Sequence, residues 1–405
     1  MDRRSFFQFV AGVAGASAGA AIGSSPWSRV LAASTARSGP GPYGPLLAPD
    51  ENGIQLPKGF RSRRIARAGE KVAGTSYTWP VFPDGGACFP AAGGWIYAAN
   101  SEFVAPTGGG ASAIRFSRSG EIEDAYSICS GTSVNCAGGA TPWGTWLTCE
   151  EHPRGLVWEC DPRGRRPAMA RPALGTFQHE AVAADRTRRQ IYLTEDVSDG
   201  RFYRFTPARW GDLSAGRLEV AAVAENGAVS WFEVPEPNPT AQDTPTRLQV
   251  SESTAFRGGE GIVFSASHVY FTTKGDNRVW DYDTAGARLT VLYDYALDPG
   301  SQLSGVDNIT VARSRDLVVA EDPGNLELVL ITPDGIVSPL LRVVGQDGSE
   351  LAGPAFSPSG RHLYFSSQRG FGQGVTYVVT GPFRQTARSS RGPIRLPVQR
   401  ANPGH

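Results

Sequence analysis

Histidine is scarce in this chain, five among 405 residues. A zinc or copper site assembled from several imidazoles is therefore not expected. Net charge is missing as well. The 39 Lys and Arg balance the 39 Asp and Glu, so no field of one sign draws nucleic acid or anionic lipid, and neither is expected as a partner. The G-x-S-x-G pattern occurs only at Gly15-Ala16-Ser17-Ala18-Gly19, in the Ala/Gly-rich run near the start, which with so few histidines argues against a Ser-His-Asp nucleophile, and no G-x-x-x-x-G-K-[ST] phosphate loop is present. The five cysteines (Cys88, Cys129, Cys136, Cys149, Cys160) are an odd number, so in an oxidising compartment at least one stays unpaired within the chain. What is abundant is turn-forming residues, 49 Gly and 30 Pro. Short strands are the expected element and long helices are not.

The first residues, Asp2-Arg3-Arg4-Ser5-Phe6-Phe7-Gln8-Phe9, precede a run rich in Ala and Gly from Val10 to Ile22 and small residues around Leu31-Ala32-Ala33. This reads as a twin-arginine export signal over residues 1–33. The run is short and broken by glycine, well below the roughly 20 strongly apolar residues of a spanning helix, so no stable membrane anchor is expected. The reading makes the twin-arginine export machinery a partner and the destination periplasmic or secreted. Since that route carries folded proteins, often with a cofactor in place, it is a first hint of a metal. A Pro/Gly-rich leader, residues 34–56, reads as a linker or surface strap. Residues 57–405 read as one domain, expected to be monomeric.

That domain has a rhythm. GGWIYAANSE, GTWLTCEE, RQIYLTED, SHVYFTTKGD, RDLVVAED and RHLYFSSQ are each a β-branched and aromatic strand, entered from turn residues and left through polar ones. Their aligned positions Tyr97, Trp146, Tyr192, Tyr270, Val318 and Tyr364 are separated by 49, 46, 78, 48 and 46 residues, the long interval holding the polar segment 206–253. A period in the forties made of short strands predicts an all-β fold, a six-bladed β-propeller with four-stranded antiparallel blades.

Ten to twelve residues upstream of each aligned position lie Gly86, Cys136, Glu180, Glu260, Asp307 and Gly353. The aligned strands themselves end in Glu102, Glu150-Glu151, Glu195-Asp196, Lys274 or Asp276, Glu321-Asp322 and Gln368. In an antiparallel hairpin these two sets lie side by side, and the innermost strands of a propeller line its channel. Both sets are expected at one mouth. Carboxylates so crowded raise one another's pKa and repel, so cations are expected among them. Oxygen-rich surroundings suit hard ions, calcium first, while Cys136 favours a transition metal at one subsite; a buried core residue or half a disulfide is its alternative reading.

NCAGGATPWGTWLTCEE, FQHEAVAADRTRRQIYLTEDVSDGRFYRF, GGEGIVF, SGVDNITV with VVAEDPGN, and ELAGPAFSPSGRHLYFSSQ together resemble the PhoX-type alkaline phosphatases, over about Pro83 to Gly370. The resemblance implies an exported propeller whose channel holds Fe3+ and Ca2+ and hydrolyses small phosphate monoesters. It implies Cys136 as an iron ligand, Glu180, Glu260 and Asp307 as further ligands, and Glu150, Glu195, Glu321 and Asp322 as calcium ligands. The family's characterised type is longer, so the chain reads as a compact member with shorter loops at the mouth. Relatives also tend to carry His between the residues here numbered Asn100 and Glu102, where this sequence has Ser101.

For such chemistry Lys274, Arg257 and Arg369 are the candidate catalytic groups that clamp phosphate. Trp143 and Trp146 are expected to pack between blades, and Gly138 with Gly139 to let the backbone approach ions or substrate. Two other functions compete: a calcium-dependent lactonase or esterase, which needs one calcium rather than rings of acids, and a non-catalytic scaffold whose ions hold the blades.

Overall fold

The computed structural model describes residues 35–105, 108–322 and 324–386. The export signal expected at 1–33 lies outside the described residues. Among those described, strands and short 3-10 turns are the regular elements, and no helix is long and apolar enough to cross a membrane.

Six antiparallel sheets form a ring, as the period predicts. Blade 1 runs outward from Pro83–Ala91 through Gly94–Ser101 and Gly110–Ser117 to Ile122–Ser130. The innermost strands of the other blades are Asn135–Ala140, His179–Asp185, Gly259–Ser265, Val306–Val311 and Leu351–Phe356. Each innermost strand contacts the next, and that of blade 6 contacts that of blade 1, so the ring closes. Closure comes from the other end of the chain: Arg61–Arg67 is the outer strand of blade 6, antiparallel to Val375–Thr380. That pairing covers an edge otherwise open to association.

Two blades exceed four strands. The long interval in the repeat becomes a fifth strand of blade 3, Val229–Glu233. The leader adds Arg37–Ser38 and Ile54–Gln55 to the outer strand of blade 5, burying Ala36, Ile54 and Leu56.

Aromatic residues fill the interfaces between blades. Tyr97 of blade 1 stacks on Tyr364 of blade 6 at 4.8 Å, and Phe202 of blade 3 on Phe271 of blade 4 at 4.6 Å. Five of the six aligned positions are buried, and Tyr270 is half-buried. Trp146 is buried and its indole N–H donates to Asn100 of blade 1 at 2.8 Å, while Trp143 meets Trp210 edge to face at 5.1 Å.

Candidate metal centre

Every innermost strand carries a register shift against its neighbour at the same place: between Pro83 and Gly86, Asn135 and Gly138, His179 and Val182, Gly259 and Ile262, Val306 and Ile309, and Ala352 and Ala355. A bulge bends its strand and re-aims the first extra side chain. Those first residues are Asp84, Cys136, Glu180, Glu260, Asp307 and Gly353. The second residues are Gly85, Ala137, Ala181, Gly261, Asn308 and Pro354, mostly small because the strands crowd at the axis. A Cβ on Gly85 would lie 2.5 Å from the Ala137 Cα, and one on Gly261 2.5 Å from the Ile309 nitrogen. The blade 1 member of the ring is therefore Asp84, not Gly86; its longer hairpin displaces the alignment by two residues. In blade 6 the position is Gly353 at φ 60°, whose missing Cβ would meet the Asp84 carbonyl at 2.4 Å.

Neighbouring blades hold the bulges in place. Asn100 donates to the carbonyls of Cys136 at 3.0 Å and Ala137 at 2.8 Å. The Thr194 hydroxyl donates to the Glu260 carbonyl at 2.6 Å, and that of Thr272 to the Asp307 carbonyl at 2.5 Å. Each bond runs from the second strand of one blade to the inner strand of the next.

The side chains so presented form three linked groups: Asp84 with Glu102 and Cys136, Cys136 with Glu151 and Glu180, and Glu180 with Glu260 and Asp307. Within each group the ligand atoms lie within 4.8 Å of one another. Cys136 and Glu180 each belong to two groups, their Sγ and Oε1 atoms 3.4 Å apart. A space of 760 Å³ opens above them. Nine carboxylic side chains line it, among them Asp196, Asp322 and Glu350, against four basic ones, Arg247, Arg257, Lys274 and Arg369.

The electrostatics are those of a site short of positive charge. Burial, then Glu102, pushes the Asp84 carboxyl up to about 8. Burial, then Asp196, takes Glu260 to about 8 against the pull of Lys274. Glu180, Glu151 and Asp307 are driven well above the usual range, by burial first and then by neighbouring acids. The Cys136 thiol is pushed up by burial, then by Asp84 and Glu180. Glu180 is wholly buried, yet its Oε2 accepts no hydrogen bond among the described residues. A buried acceptor without a partner costs about 1–3 kcal/mol or more, and the oxygen and thiol set around it fits hard cations with one softer subsite.

Lys274 Nζ sits 2.6 Å from Glu260 and 2.8 Å from Asp196. Arg369 pairs with Glu350 at 2.5 Å, and Arg257 is exposed at the rim. All three expected cationic groups thus reach the mouth.

Of the expected ligands, the structure brings Cys136, Glu180, Glu260 and Asp307 together and places Asp322 on the wall. It turns Glu150, Glu195 and Glu321 away. Glu150 accepts from the Ser133 N–H at 2.9 Å and from Trp158 at 3.0 Å. Glu195 accepts from Tyr203 at 2.8 Å, and Glu321 from the N–H groups of Ser304 at 2.9 Å and Glu327 at 3.0 Å. The reason is alternation: successive residues of a strand face opposite sides, so in each acidic pair the second residue, Glu151, Asp196 or Asp322, faces the space. Glu102 marks the register: it follows Ser101, the partner of Pro83, just as Glu151, Asp196 and Asp322 follow the partners of Asn135, His179 and Val306. His179 is likewise turned away, buried against Phe177 at 3.6 Å and held down to about 3 by burial. Gly138 and Gly139 serve strand packing rather than approach to ions, since a Cβ on them would meet the carbonyl oxygens of Leu147 at 2.0 Å and Val182 at 1.9 Å.

The family model for alkaline phosphatase PhoX matches residues 96–156 and 152–290. Among solved structures, Pseudomonas fluorescens PhoX in complex with vanadate, a transition state analogue, is similar over 87% of this chain and 98% of its own, with a TM-score of 0.65 and 16% identity. The PQQ domain of a Coprinopsis cinerea pyranose dehydrogenase is similar over 82% of this chain and 98% of its own, with a TM-score of 0.50 and 11% identity. A Xanthomonas campestris gluconolactonase covers 84% of this chain and 99% of its own, with a TM-score of 0.47 and 12% identity. No curated protein matches.

Proposed function

This chain belongs to the PhoX-type alkaline phosphatase family, and from that premise we propose that it is an exported phosphomonoesterase working at Fe3+ and Ca2+ in the propeller channel. The observation that carries the reading is the run of three linked groups from Asp84 to Asp307, joined at Cys136 and Glu180. Structural calcium has no use for a thiolate; a transition metal has. Asp84, Glu102, Cys136, Glu151, Glu180, Glu260 and Asp307 would hold the ions, with the thiol deprotonated.

When bound, clustered di- and trivalent ions supply charge for the nonbridging oxygens and acidify water toward neutrality. In the overall reaction a water oxygen bonds to phosphorus, the bond from phosphorus to the ester oxygen breaks, and a proton ends on the alcohol, giving alcohol and inorganic phosphate. The chain's own part is binding and orientation. Lys274, kept protonated because Glu260 and Asp196 outweigh the effect of burial, and Arg369, charged and fixed by Glu350, offer donors to phosphate oxygens from blades 4 and 6. Arg257, exposed at the rim, steers the dianion inward. The twin-arginine signal takes the folded, loaded protein to the periplasm or medium.

Elemental analysis of protein purified without added metal, beside turnover of a phosphomonoester and a lactone, tests the reading. Iron with calcium and phosphomonoester turnover are expected. Glu180→Gln should lose metal and reduce kcat by at least about a hundredfold. A Glu180→Gln protein that keeps both would overturn the ligand assignment.

A further inference from the structure

A second cavity, of 530 Å³, adjoins the acidic space between the rims of blades 1 and 6. The two share Glu102 and Arg369, so a molecule with its phosphate among the acids and bases can extend directly into this cavity. Its walls differ in character. Phe82 and Phe371 provide ring surface, and Gln346 and Asp347 lie at its polar side.

Both phenylalanines stand in the left-handed region, Phe82 at φ 48° and Phe371 at φ 52°. That conformation is uncommon for a bulky side chain and costs about 1–3 kcal/mol each, strain that concentrates where ligands are held. Phe371 is also 60% exposed, the most exposed large hydrophobic residue among those described. Its placement is supported from several sides: the Arg67 guanidinium lies 5.0 Å over the ring, and a Cβ on the preceding Gly370 would strike the Gln346 side chain at 2.2 Å. Phe82 is held by its N–H donating to the Gln373 carbonyl at 2.8 Å and its carbonyl accepting from Glu102 at 3.0 Å. Strain and exposure are both unfavourable in the free chain, and a flat apolar ligand covering the exposed ring surface offsets them.

We propose that this cavity is the leaving-group subsite, and that the preferred substrates are phosphate monoesters of uncharged alcohols bearing a planar ring, seated against Phe371 and Phe82. The anionic Asp347 at its edge disfavours leaving groups that carry further negative charge. The inference rests on the phosphatase reading and adds the class of alcohol to it.

Calorimetric binding of phenylphosphonate and methylphosphonate to the metal-loaded protein separates the two claims, since neither compound is turned over. The native protein should bind phenylphosphonate about tenfold more tightly, the worth of one ring contact. Phe371→Gly relieves the left-handed strain and should keep the native melting temperature or raise it. It should abolish the preference while leaving methylphosphonate affinity within about twofold. With 2-phenylethyl and ethyl phosphate, whose alcohols are of similar acidity, the same variant should raise KM for the first only. Equal affinity of the native protein for both phosphonates, or a preference that survives Phe371→Gly, overturns the subsite and leaves the phosphatase reading standing. Failure of both phosphonates to bind overturns the phosphate site, and the subsite with it.

Discussion

Adjacent acids in this protein do opposite work. Glu150 and Glu151 differ by one position in a strand, and that is enough to send one carboxylate to the backbone N–H of Ser133 and the other to the channel beside Cys136 and Glu180. The chemistry of the two side chains is identical; the pleat decides. Glu150→Gln should therefore leave metal content unchanged and lower stability, by about 1–2 kcal/mol, since a charged acceptor of several bonds is replaced by a weaker one. Glu151→Gln should lower metal content with little loss of fold. Metal analysis and thermal melts of the pair check this, and metal loss in Glu150→Gln with retention in Glu151→Gln would reverse the assignment.

The unit that repeats is the inner hairpin with its bulge, and its pieces are set partly by the blade before it. Thr194 and Thr272 hold the carbonyls of Glu260 and Asp307, so a ligand's position depends on a hydroxyl in another sheet. Thr272→Val, which keeps shape and removes the donor, should weaken metal retention through Asp307, read as faster metal loss to a chelator at unchanged secondary structure. The hairpin of blade 4 offers a pH test away from the acidic channel. His268 Nδ1 lies 2.6 Å from Asp281, and that hydrogen bond, opposed by partial burial, raises the imidazole above its ordinary 6.5. With the folded pKa raised, the stabilisation is present below about pH 6.5 and is lost as pH rises through the folded value. His268→Gln should narrow the difference in melting temperature between pH 5.5 and pH 8.5 by about 1 °C, a small effect because the pair is partly solvated.

Over the whole molecule, stability depends on closing the ring. Arg61–Arg67 joins a strand from near the start of the described chain to blade 6, while the leader only thickens blade 5. Deleting residues 35–56 removes the buried Ile54 and Leu56, at about 1.5–3 kcal/mol each, and should lower the melting temperature while leaving metal bound. Deleting through residue 67 uncovers Val375–Thr380 as a bare edge, and should yield protein that aggregates. Size-exclusion chromatography with metal analysis distinguishes the two outcomes.

The sequence by itself determined the ring and the recurrence of the residues that line its channel. Strand periodicity follows from local hydrophobic pattern, so six units and the recurrence of Cys136, Glu180, Glu260 and Asp307 were legible without coordinates, and the resemblance to PhoX-type phosphatases lay in the same residues. Only the tertiary structure decided that Asp84 completes the set, that Glu151 and Asp196 face the channel space in place of Glu150 and Glu195, and that Arg61–Arg67 shuts the ring. Each depends on register: one extra residue in a strand reverses every side chain beyond it, and where that residue falls is fixed by packing against the next blade, which no local pattern records.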